Sequence, residues 1–181
     1  MTNAQLASIQ WGVFLSVVFL APQVLFGRLT FRGTAITVYA SMLFSATFLP
    51  MQFVPPRQAV QLVPFQWVAD TIRDGQIAFD QMTLNVLLFV PLGAMLLFWG
   101  RRPLGQAALI GYGVSLVVEG AQLLWANRIF DVDDLITNTT GTALGWLGAL
   151  AVLAVRARVT AAPPRQAERA QQAERSLAGV R

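Results

Sequence analysis

Between positions 119 and 134 the chain reads EGAQLLWANRIFDVDD, which places Glu119, Asp131, Asp133 and Asp134, four of its nine acidic residues, around a single Arg128. Carboxylates in this number can move a proton or ligate a hard cation such as Mg or Ca. Arg128 carries a planar fork that fits a carboxylate or a phosphate oxygen pair. The chain has no Cys and no His, which excludes thiolate and imidazole metal sites, Cys or His nucleophiles, and His-based triads. DVDD lacks the spacing of a calcium loop, and no GxSxG nucleophile motif is present, so Asp131, Asp133 and Asp134 are weak metal candidates. Glu119 is the candidate acid or base under an enzymatic reading.

The elements that must position these groups are membrane helices. The 181 residues are 55% hydrophobic and only 12% charged, with a mean hydropathy of +0.56. Five apolar runs, near 7 to 27, 34 to 53, 83 to 99, 104 to 125 and 133 to 155, are long enough to cross about 30 Å of hydrocarbon. The N-terminus lacks a basic n-region, and the first run reads as a retained span rather than a signal peptide. Pro22 and Pro91 fall inside spans, where neighbouring helices can re-satisfy the freed carbonyls. Residues 54 to 82 carry prolines, aromatics and charges and suit an interfacial loop with a short helix that could roof a site. All thirteen basic residues are Arg, and ten of them (28, 32, 101, 102, 156, 158, 165, 169, 175 and 181) fall on one side of the expected bundle. The positive-inside rule then puts the N-terminus outside and the C-terminus in the cytoplasm, and the acidic cluster faces outward. Residues 1–158 form the expected transmembrane domain, and 159–181 a polar cytoplasmic tail, frayed or disordered, with no apolar face to bury.

Helical spacing sorts the polar residues onto faces. Gly111, Ser115, Glu119 and Gln122 share one side of the fourth span, Asn85, Phe89 and Gly93 one side of the third, and Asp134, Asn138, Gly141, Gly145 and Gly148 one side of the fifth. Gly93, Gly141, Gly145 and Gly148 read as packing positions, with Gly141 and Gly145 a GxxxG pair. Helix capping and macrodipole complementarity account for one or two of the three aspartates, and three is more than a cap needs. Glu119 lies about 9 Å inside the end of its helix, where a carboxyl group must face the bundle and either find a partner or be protonated. Arg128 is the nearest candidate.

The stretches NVLLFVPLGAMLLF (85–98) and SLVVEGAQLLWANRIFDVDDLITNTTGTALGW (115–146) resemble the VanZ-like family of bacterial membrane proteins. The shared pattern falls on Asn85, Phe89, Pro91, Gly93, Glu119, Gln122, Arg128, Asp131, Asp134, Asn138 and Gly141. An upstream element appears as QLVPF, with Gln61 where the family has Asn. The resemblance covers residues 60–150 and implies an all-α bundle in the bacterial cytoplasmic membrane. The family takes its name from a glycopeptide-resistance determinant associated with teicoplanin.

Three functions fit these residues. In the favoured one the outer pocket binds the headgroup of a cell-envelope lipid or lipid-linked glycan precursor: Arg128 takes phosphate, Asn85, Gln122 and Asn138 hydrogen-bond the headgroup beside Glu119, Asp131 and Asp134, and apolar helices seat the chains. This reading needs no cofactor. The others are a carboxylate-dependent intramembrane enzyme using Mg or Ca, and a structural subunit of a membrane complex. The chain is expected to have the lipid bilayer as its partner and no nucleic acid.

Overall fold

A computed structural model describes residues 3–48, 60–125 and 129–161. Among these residues the chain is helical apart from two short strands. The elements are α1 (Asn3–Leu25), α2 (Phe31–Phe48), β1 (Val60–Gln61), α3 (Gln66–Asp74), α4 (Gln76–Phe98), α5 (Leu104–Trp125), β2 (Phe130–Asp131) and α6 (Val132–Ala161). Four of the helices, α1, α4, α5 and α6, are long and apolar enough to cross a membrane. The expected second span corresponds to α2, whose 18 described residues, rich in Ser and Thr, fall short of that standard. The end of that expected span, at 49–53, lies outside the described residues. The chain is an all-α membrane bundle, as its apolar runs predict.

Two boundaries differ from the sequence expectation. The third span starts at Gln76 rather than 83, so the last residues assigned to the interfacial segment are the first two turns of α4. Gly75, at φ 68°, reverses the chain after α3, and Gln76 donates to Asp80 one turn on at 2.7 Å, which lets polar residues open the helix. The last helix runs to Ala161 rather than 155, with Arg158 in its final turn, where a cation complements the helix dipole. The remainder of the tail, 162–181, lies outside the described residues. Pro22 and Pro91 sit within unbroken helices.

The core is the α4–α6 seam, flanked by α5. A methyl added at Gly141 would collide with the carbonyl oxygen of Val86, one at Gly145 with that of Val90, and one at Gly93 with that of Thr142. The two backbones therefore touch, which is what paired small residues permit between helices in lipid. Phe89, fully buried, fills the same layer, and Gly111 on α5 admits the Thr142 side chain. Gly148, expected on the packing stripe, is exposed, with nothing within 4 Å of its added methyl. The buried face continues instead through Ala149, one turn beyond Gly145 and 4% exposed. At the opposite end of α4, the Trp146 indole donates to the Arg102 carbonyl at 2.8 Å and ties α6 to the α4–α5 turn. Helices α1 and α2 form a hairpin of their own, and α2 meets the core along α5, where Gln122 donates to the Thr47 carbonyl at 2.7 Å.

Candidate functional site

The buried face of α5 supplies the deepest acid. Ser115 and Glu119 are 0% and 2% exposed, so the face inferred from spacing is the face turned inward. A carboxylate at that depth requires donors, and Glu119 accepts the backbone N–H of Asp131 at 3.1 Å. That bond anchors β2, whose two residues pair in parallel with β1, Val60 opposite Phe130 and Gln61 opposite Asp131. The Asp131 carboxylate in turn accepts the N–H of Asp133 at 2.9 Å and so serves as the N-cap of α6. Asp133 and Asp134 occupy the first turn of α6, where negative charge is favoured.

Asp133 reaches across to another element. Its two oxygens accept the backbone N–H groups of Phe65, at 2.6 Å, and Trp67, at 3.0 Å, at the start of α3. Asp134 accepts a short hydrogen bond from the side-chain amide of Asn85 on α4. One turn deeper, Asn138 donates to Ser115 at 2.9 Å, and its own oxygen is buried without a hydrogen-bond partner among the described residues.

These bonds surround a small, partly covered cleft of about 160 Å³ under α3, lined by Trp67, Asp70, Met82, Asn85, Asp131 and Asp134, among others. Its walls are strongly acidic. Burial pushes the Asp131 carboxyl above the ordinary carboxylate value of 3.8, and the nearby charges of Asp134, Asp133 and Asp70 add to that, against the opposing pull of the Asp133 N–H. Asp70 is paired with Arg73 at 2.7 Å on the solvent side of α3.

The expected ligand-binding residues divide into two groups. Asn85, Asp131 and Asp134 line the cleft, with Asp133 beside them. Glu119 lies behind Asp131 as its anchor. Gln122 and Asn138 do not line the cleft: the amide of Gln122 serves the last turn of α2, and that of Asn138 serves Ser115. Arg128, with its expected pairing to Glu119 or a phosphate, lies outside the described residues. Of the three aspartates that are weak metal candidates, Asp131 and Asp134 line the cleft and Asp133 is bonded to α3. Both oxygens of Asp133 are taken by α3 amides, and among the described residues no group of three or more acids is placed to hold an ion. Sequence reasoning missed Trp67 and Asp70, which reach the cleft because α3 folds over it, and Met82, which lines it from the first turns of α4.

A scan against protein-family models matches residues 36–154 to the VanZ/LLP1 family. Searches of curated proteins and of solved structures return no match.

Proposed function

The chain belongs to the VanZ/LLP1 family, and from that premise we propose that it binds the headgroup of a cell-envelope lipid or lipid-linked glycan precursor in the cleft under α3. The observation that carries the reading is the cleft itself, a polar opening at the end of an apolar bundle, walled by Asn85, Asp131 and Asp134 with Trp67 above. Its chemistry refines the ligand. Carboxylates accept, so the part of the headgroup that enters must donate, through sugar hydroxyls or an ammonium group, and Trp67 offers an aromatic face to either. A phosphate would be repelled by these acids and calls for a cation, the role that the sequence offers to Arg128. The apolar surfaces of α1 and α4 are exposed and suit contact with lipid chains.

In this reading the protein sits in the cytoplasmic membrane with the cleft outward, an orientation supported by the distribution of arginines. Occupancy of an envelope precursor there would alter sensitivity to glycopeptides of the teicoplanin type, which act at the same surface. Native mass spectrometry of lipids retained on purification tests the proposal. Wild type should retain a headgroup-specific species that an Asp131→Asn, Asp134→Asn double variant releases. Equal retention by both proteins would reject the cleft as the site.

A further inference from the structure

We propose that α3 is a lid on the cleft and that Asp133 is the latch that holds it shut. The inference rests on the headgroup reading only for what the lid admits. The latch itself stands on geometry.

Three observations combine. First, α3 covers the cleft from one side, with Trp67 and Asp70 in its lining, opposite Ala78 and Asn85 of α4 and the first turn of α6. Second, α3 is bounded by two backbone reversals. Phe65 has φ 64° and ψ 23°, a left-handed conformation that a phenylalanine adopts only at a cost. Gly75, at φ 68° and ψ −135°, joins α3 to α4 in a region open essentially to glycine alone. Third, the Asp133 carboxylate, 5% exposed, holds the N–H groups of Phe65 and Trp67, the residues at the strained end. These are charge-assisted bonds to donors that a helix start otherwise leaves unmet. They stabilise a backbone turn that is unfavourable without them, so releasing the carboxylate frees both the amides and the strain. The Gly75 end can then serve as the hinge.

Asp133 is itself held. Its N–H is fixed by Asp131, and the N–H of Asp131 is fixed by Glu119. A line of three carboxylates thus runs from the interior of α5 to the lid, each accepting the backbone of the next element. The back of the lid is apolar: Val68 and Ile72, one turn apart, are exposed and suit the membrane interface. Opening therefore moves α3 along that interface and leaves its apolar face in lipid.

Because the chain lacks cysteine, a single Ala78→Cys reporter on the cleft wall measures lid opening directly. In lipid nanodiscs its modification by a bulky hydrophilic maleimide should speed up about tenfold or more in an Asp133→Ala background, on the scale of one charge-assisted hydrogen bond. Asp133→Asn, which keeps one acceptor oxygen, should fall between. Hydrogen exchange at Phe65 and Trp67 should quicken in parallel while the α4–α6 seam stays protected. If the seam also loses protection in Asp133→Ala, the comparison is made in Asp133→Asn. Unchanged reactivity of the reporter with faster amide exchange would show that Asp133 only anchors α3, and unchanged exchange would remove the latch altogether. Neither readout uses a lipid, so a wild type that retains no headgroup-specific lipid overturns the binding proposal and leaves the latch standing.

Discussion

Substituting Gly145 by Ala tests the α4–α6 seam most sharply, because the same substitution three residues on meets open space. The added methyl at position 145 would overlap the Val90 carbonyl oxygen and crowd its carbon, against an ordinary contact distance of 3.4–4 Å. Main-chain atoms inside a helix cannot rotate away, so α6 must retreat from α4 by more than about 1 Å, a gap that forfeits a quarter to a half of each dispersion contact across it. Overpacking of this kind costs about 1 to 3 kcal/mol, with the upper end expected where two backbones touch. Gly148→Ala has no such clash, and exchanging an exposed helical Gly for Ala is worth up to about 1 kcal/mol in favour of the helix. Because Gly145→Ala carries the same propensity gain, reversible unfolding in mixed micelles should place it below Gly148→Ala by the overpacking cost alone, about 1 to 3 kcal/mol. If the two alanines shift stability equally, or Gly145→Ala stabilises, the close approach of α4 and α6 is wrong.

Two further outcomes follow from charge. The Asp131 carboxyl is raised above 3.8, so the folded protein holds its proton to higher pH than the unfolded chain, and stability attributable to this group falls as pH climbs above that value and levels once the folded carboxyl ionises. Asp131→Asn keeps an acceptor for the Asp133 N–H and removes the repulsion, so it should be at least as stable as wild type at pH 7 and flatter in a pH titration of stability. A less stable variant with an unchanged slope would refute the assigned cause. For orientation, cysteines at Arg73 and Asn127 should react with an impermeant thiol reagent in intact cells and those at Arg102 and Ser176 only after permeabilisation. Labelling at 102 in intact cells would invert the topology.

The faces of the helices were legible because helical spacing survives in any context. Ser115, Glu119 and Gln122 recur every three or four residues and all point inward, and Gly141 and Gly145 mark the seam where the backbones of α4 and α6 meet. The N-cap role among the aspartates was also local information, since Asp131 caps the helix it precedes. Partners across the chain were not legible. Nothing in positions 61–67 announces that the amides of Phe65 and Trp67 meet a carboxylate 66 or 68 residues away, and nothing near Gln122 points to Thr47. Gly148 keeps the spacing of the stripe but is exposed, while Ala149, four residues beyond Gly145, is buried, and the sequence period alone does not choose between a step of three and a step of four. The start of α4 was obscured because Asp80 and Gln81 look like loop residues until Gly75 has turned the chain into the helix.

The claim that the polar cleft receives an envelope precursor is tested most directly by ligand-induced stability. Purified protein in nanodiscs, titrated with a polyprenyl-phosphate-linked glycan, should gain about 2.7 kcal/mol at a hundredfold excess over the dissociation constant. The gain should vanish in Arg128→Ala and shrink in the Asp131→Asn, Asp134→Asn variant. A protein that ignores the glycolipid but is stabilised by millimolar Mg or Ca would contradict the account and return the carboxylates to cation chemistry.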